Sequence, residues 1–362
     1  MKPWSVLAVF KTVSSVPTAP FHEASAAAQA RAWARRSLGP RVKVRRRRGG
    51  LILSYRQCKG PALVLAAHLD HPAFHLCRVT DKGALARVKG GLPREFLKGA
   101  RIEAFASPAK DNRPLGRGVL LEGKSDRFPV SWTEAPARGR KPVFAMLALP
   151  PAEVSGAWLR ARSIDDTLGC ALVLETLRRV ARSRARANLT VILHRAEEVG
   201  FIGCLDLIRS GSLDPGDAYI SVETSRHMPG AAPGAGPILR TGDKTGLFDS
   251  DLLAFLEESA ERLRKKGLRF QRTRLTGGTC EATAYQAFGF QAAGLSIPLV
   301  NYHNRGKDSV EPEAVRLDDL EPAVRLLEDA ALRLPASHLR GSMRKRLTNL
   351  HRKTSPLLKT RF

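Results

Sequence analysis

Four short apolar runs constrain this chain most: "GPALVLAA" (60–67), "NLTVILH" (188–194), "DAYISVE" (217–223) and "AAGLSIPLV" (292–300). Each reads as a buried strand. Helical stretches alternate with the later ones. After Asp166, Leu168, Ala171, Leu172 and Leu177 fall on one helical stripe. "FIGCLDLI" (201–208), "SDLLAFLEESAERLRKKG" (250–267) and "LDDLEPAVRLLEDAALRL" (317–334) follow, the second stopped by Gly267. Strands alternating with helices predict an α/β fold, a mainly parallel sheet with helices on both faces.

From about Pro72 to Ala157 the texture changes. "FHLCRVT", "ALARVK", "ARIEAFA", "GRGVLLE" and "VFAMLAL" alternate with Gly, Pro and charge, which predicts an inserted small β-barrel-like domain. The expected organisation is an α/β domain built from 1–71 and 158–335, a β-rich insertion at 72–157, and a basic tail at 336–362. The N-terminus reads as a helix, a turn at "SVPTAPF" and a second helix from Glu23. Its apolar stretch "VLAVF" is too short for a secretory signal and is followed by Lys11.

No run approaches the length of a membrane span. Five cysteines (58, 77, 170, 204 and 280) form no C-x-x-C pair, which suggests reduced thiols in a cytoplasmic protein. The charge is unusual, with 60 basic residues against 34 acidic, or +26. Residues 1–69 hold one acid, Glu23; "RVKVRRRRGG" (41–50) is a dense basic cluster; no acid follows Asp329. Such charge suits non-specific contact with polyanions. A solvated basic surface is preferred over sequence-specific nucleic-acid binding, since no zinc-finger spacing, aromatic RNA-binding signature or P-loop accompanies it.

Polar residues gather at the predicted strand ends. His68 and Asp70 lie in "AAHLDHPAF", Glu197 and Glu198 in "HRAEEVGFIGC", Glu223 in "ISVETS" and His303 in "VNYHNRG". Asp165 and Asp166, in "RSIDDTLGC", open a helix. Singly each is ordinary: a histidine after a strand is usually a satisfied core residue, and adjacent acids are usually solvated. Together they place two histidines and several carboxylates at the sheet edge where α/β folds bind ligands. Adjacent glutamates there repel unless a cation or shared proton stabilises them. The donor set suits two divalent metal ions: zinc, cobalt or manganese. Asp70 is placed to orient the far imidazole nitrogen of His68.

The order H-x-D, D-D, E-E, an acid, then His is similar to that of cocatalytic dinuclear metallopeptidases. Above all it resembles the TET-type glutamyl and leucyl aminopeptidases, which assemble into tetrahedral particles. In that family a β domain falls between the first His and the Asp, as the β-rich stretch does here. "GPILRTGDK", "LTGGTCEA" and "GLSIPLVNYH" also resemble family segments. The resemblance implies a homo-oligomeric aminopeptidase acting on peptide substrates, with an insertion that serves oligomerisation. It implies that His68 and Glu223 hold one metal, Glu198 and His303 the other, and Asp165 bridges both; Asp166 is the competing bridge. Asp70 would orient His68, and Glu197 would be the general base toward a metal-activated water. The chain departs from the pattern at Glu223, where the family has Asp, and at Thr167 or Leu168, where it has Arg. It also departs at Cys280, which precedes Glu281, and at "NYHN". A related two-metal deacylase or carboxypeptidase is the alternative enzyme, and a catalytically degenerate basic binding module the alternative non-enzyme.

Overall fold

A computed structural model describes residues 4–336 and 342–359. Two helices open the chain, α1 (Trp4–Val13) and α2 (Ala24–Ser37). A hairpin follows, β1 (Val42–Arg47) and β2 (Gly50–Arg56), and then β3 (Leu63–His68). Next come β4 (Ala73–Cys77), β5 (Gly83–Lys89), β6 (Arg101–Phe105), β7 (Gly116–Leu120), β8 (Arg127–Glu134) and β9 (Phe144–Leu147). Short strands β10 (Glu153–Ser155) and β11 (Trp158–Ala161) lead to α3 (Ile164–Ser183) and β12 (Asn188–His194). The rest runs α4 (Ile202–Arg209), β13 (Ala218–Arg226), β14 (Ile238–Arg240), α5 (Ser250–Arg264), β15 (Gln271–Thr273), α6 (Glu281–Ala287), β16 (Gln291–Leu299), β17 (Glu313–Arg316), α7 (Leu320–Arg333) and α8 (Ser342–Thr354).

Eight strands form the main sheet in the order β1-β2-β12-β3-β13-β16-β14-β15. Its centre, β12-β3-β13-β16, is parallel. These four strands are almost wholly buried because helices cover both of their faces. α3 lies along β3, β12 and β13 and packs against α1 and α7, while α4 and α6 pack together against β2, β13 and β16. One continuous core, from Val6 to Leu334, joins these layers. The sheet is less uniformly parallel than its sequence implies. β1 and β2 add on antiparallel, and β14 pairs antiparallel with β16. The reason is local: only Arg48 and Gly49 connect β1 to β2, too short for a crossover to a parallel neighbour. The basic run 43–47 is the outer edge strand, whose exposed cations also discourage edge-to-edge pairing.

Strands β4-β5-β8-β7-β6-β9 close a six-stranded antiparallel barrel filled by Phe74, Ile102, Leu120 and Phe128. Closure is made by β4 against β9, Phe74 facing Ala145. Helix α5 shows how local chemistry sets an element. The Asp249 carboxylate accepts from Leu252 N at 2.8 Å, and Leu252, Leu256, Ala260 and Leu263 form its buried stripe. Such a cap contributes about 1 kcal/mol. In the tail, α8 carries exposed side chains from Leu347 to Thr354; residues 337–341 and 360–362 lie outside the described residues.

Candidate active site

The parallel strands end at one edge, and there the chain turns bring the candidate residues together. His68 closes β3, Glu197 and Glu198 follow β12, Glu223 lies in β13, and Asp165 and Asp166 open α3. His303 follows β16 in a 3-10 turn, with a left-handed φ of 56°.

His68 Nε2 stands 3.6 Å from Asp165 Oδ1, 3.6 Å from Glu223 Oε2 and 3.7 Å from Glu197 Oε2. His303 Nε2 stands 3.2 Å from Glu198 Oε1 and 3.4 Å from Asp165 Oδ2. Asp165 thus turns one oxygen to each imidazole. Most of these separations exceed hydrogen-bond lengths. They resemble the roughly 3.3–3.6 Å between donors that share a tetrahedral ion at ~2.0–2.2 Å. His303 Nε2 and Glu198 Oε1 are buried without a hydrogen-bond partner, as donors to an ion would be. The residues present therefore fit divalent cations.

The electrostatics agree with that fit. Burial pushes the Glu197 carboxyl well above the usual carboxylate range; the His68 charge opposes this, and Glu223 and Glu198 reinforce it. Burial also acts to raise the Asp165 carboxyl, but the two imidazoles outweigh it and hold Asp165 low. Burial acts to lower the His68 and His303 imidazoles, and the surrounding carboxylates reverse that and raise both. A cluster so rich in carboxylates calls for positive charge.

Asp70 departs from the sequence expectation. The Asp70 carboxylate accepts from Glu197 N at 3.0 Å and Glu198 N at 3.1 Å, and its Oδ1 is 3.7 Å from His68 Nδ1. The nearer partner of His68 Nδ1 is the Asp70 main-chain oxygen, at 3.1 Å. With only one residue between them, the turn brings the carbonyl to the ring and sends the carboxylate to the glutamate amides. Asp166, the competing bridge, accepts from His68 N at 3.4 Å and Gly169 N at 3.2 Å, and one of its oxygens gathers with donor atoms of His68 and Glu223. A Cβ at Gly169 would stand 2.3 Å from its oxygens.

Several residues at the site carry no sequence signature. Glu313, fully buried, accepts from Ile164 N (2.7 Å), Asp165 N (2.9 Å) and His303 N (2.8 Å). It ties the start of α3 to the His303 turn. His71 Nδ1 faces the Asp165 carbonyl at 2.5 Å and its Nε2 faces Asn304 Oδ1 at 3.1 Å. The barrel contributes too: the Gly91 carbonyl is 3.2 Å from His303 Nδ1, and a Cβ there would stand 2.5 Å from that nitrogen. Replacing Glu313 with Ala strands three amides, each costing about 1–3 kcal/mol. The expected result is a ~10–100-fold weaker metal affinity in chelator competition, the usual effect of losing an outer-shell partner. Unchanged affinity would show that the ligands hold their places without it.

A cavity of about 530 Å³ opens from the ligands. Its wall includes Arg240, Met228, Tyr302 and the loop Leu275–Cys280. Arg240 is only 4% exposed. Its Nη1 donates to Ser225 Oγ at 3.4 Å, its guanidinium lies over the Phe248 ring, and its Nε has no hydrogen-bond partner. Among the described residues no carboxylate forms an ion pair with it.

Comparison with known proteins extends this picture. A TET aminopeptidase from the marine sediment archaeon Thaumarchaeota archaeon SCGC AB-539-E09 superposes with a TM-score of 0.77 at 18% identity, covering 91% of this chain and 97% of that one. The Pyrococcus horikoshii TET1 peptidase, described as assembling into a tetrahedron or a large octahedral shell, gives 0.71 at 19% identity, over 90% and 99% of the two chains. These matches share the fold. A curated Acetivibrio thermocellus protein that carries the provisional name aminopeptidase is 23% identical over 304 residues, 78% of this chain and 86% of its own. The family model described as M42 glutamyl aminopeptidase matches residues 142–326, which include Asp165, Glu197, Glu198, Glu223 and His303. On that match, over a fold and site of this kind, the chain belongs to the M42 glutamyl aminopeptidase family and is a metal-dependent aminopeptidase.

Proposed function

We propose that the chain removes N-terminal residues from peptides at a dinuclear centre. His68 and Glu223 hold one cation, His303 and Glu198 the other, and Asp165 bridges them. The observation that carries this reading is the division of the two Asp165 oxygens between the two imidazoles. Zinc suits the nitrogen and oxygen donors, as do cobalt and manganese. When bound, such cations supply Lewis acidity toward the scissile carbonyl and lower the pKa of the attacking water. Glu197, whose carboxylate lines the cavity beside His68, is placed to take a proton from water and pass it to the departing amine. Asp70 fixes the main chain of both glutamates for this exchange.

Arg240 supports a preference for acidic N-terminal residues, because a buried guanidinium without a carboxylate gains most from a substrate carboxylate. Charge-assisted hydrogen bonds of about 1.5–3 kcal/mol correspond to roughly 10–100-fold. Arg240→Met should therefore lower kcat/KM on a Glu-amide substrate by that factor and change a Leu-amide little. Equal loss on both would assign Arg240 a structural role only.

The α/β domain (1–71 and 158–335) is read as catalytic, the insertion at 72–157 as the oligomerisation domain, and 336–362 as a basic tail. The exposed cations of β1 and α8 are read as a non-specific polyanion contact. One light-scattering series over increasing salt, with and without duplex DNA, tests assembly and contact together. The expected particle exceeds monomer mass at every salt, and DNA adds mass only at low salt. A monomer throughout removes the assembly reading; DNA binding that is absent or indifferent to salt removes the electrostatic one. Among the described residues no helix is long and apolar enough to cross a membrane. The free cysteines support a reducing, cytoplasmic setting, which cell fractionation checks.

A further inference from the structure

A second group of metal-ligating side chains lies in the core, apart from the ligands above. His194 closes β12, Cys204 lies in α4, and Glu281 opens α6. All three are fully buried. One donor atom from each lies within 4.8 Å of the others. His194 Nδ1 and Glu281 Oε1 form a close pair at 2.7 Å that no hydrogen bond satisfies, and the second Glu281 oxygen has no partner either; a shared tetrahedral ion would part the pair to roughly 3.3–3.6 Å. Unpartnered carboxylate oxygens in an apolar core are heavily disfavoured. The other imidazole nitrogen is engaged: His194 Nε2 lies 3.1 Å from the Tyr285 hydroxyl. With Nε2–H donating to that oxygen, Nδ1 keeps its lone pair free for a cation.

We propose that His194, Cys204 and Glu281 bind a divalent cation of the zinc class at a structural site, separate from the dinuclear centre. The donors are imidazole, thiolate and carboxylate, a set that suits zinc. One divalent cation, one thiolate and one carboxylate sum to zero charge, which an apolar core accepts. Ligation also satisfies His194 Nδ1 and the Glu281 carboxylate, the atoms that hydrogen bonding leaves out. Without a cation, burial pushes the Cys204 thiol well above its ordinary value; ligation displaces its proton to solvent. The site would brace the strand leading to Glu197 against α6, which follows the Leu275–Cys280 wall of the cavity. The rival arrangement is a proton shared between His194 and Glu281.

The test uses the full chain produced in cobalt-supplemented medium, with metal analysis and near-ultraviolet absorption. A centre built only from histidine and carboxylate has no thiolate-to-cobalt charge-transfer band, so the readout is independent of hydrolytic activity. Wild type should show this band and hold one more cobalt per chain than Cys204→Ser. His194→Gln should lose the same band and the same ion, which keeps the test open should the serine variant fail to fold. Cys170→Ser, a buried thiol outside the cluster, should keep both. No band in wild type, a band lost only in Cys170→Ser, or equal metal in wild type and both cluster variants would overturn the site in favour of the shared proton.

Discussion

Glu197→Gln is expected to fold, keep its metal and lose about 10²–10⁴-fold in kcat, the range for removing a positioned general base. The amide nearly matches the carboxylate in shape, so the cavity keeps its form. It cannot accept the proton of the attacking water, nor return one to the amine. The Asp70 contacts are to main-chain amides, so the substitution leaves them in place. Assays at saturating substrate, with metal content measured on the same sample, separate the chemical step from ligand loss. Near-normal turnover with full metal would mean that another group moves the proton.

Chelation should have a comparably large effect. Without cations, Asp165, Glu197, Glu198 and Glu223 crowd two imidazoles, and repulsion among buried carboxylates must be met by protonation or movement. Activity should fall to background and return when zinc, cobalt or manganese is restored. Stability should fall as well: an ion at 100 times its Kd contributes about 2.7 kcal/mol per site, which should lower Tm by several degrees. Chelator-resistant hydrolysis would argue against metal-dependent chemistry.

The sequence made the strand-end placement legible because buried parallel strands are almost pure apolar runs, and a charged residue at their ends stands out. His68, Glu197, Glu198, Glu223 and His303 were visible for that reason. Asp165 and Asp166 were not separable, because adjacent identical side chains differ only in direction, and the start of α3 sets that direction. Glu313 was invisible because it works through main-chain amides, which any sequence supplies. Arg240 was one cation among 60 basic residues, distinguished only by burial without a carboxylate. The β1–β2 hairpin was hidden because its arginines read as a solvated charge cluster, while Val42 and Val44 give only a weak alternation.

Whether one carboxylate joins two cations is decided by metal analysis of Asp165→Ala beside wild type. Inductively coupled plasma mass spectrometry on both proteins, after a circular dichroism check that both are folded, gives the difference in ions per chain. Two fewer ions per chain are expected in Asp165→Ala, with peptide hydrolysis abolished. An unchanged metal content in a folded variant would contradict the bridge.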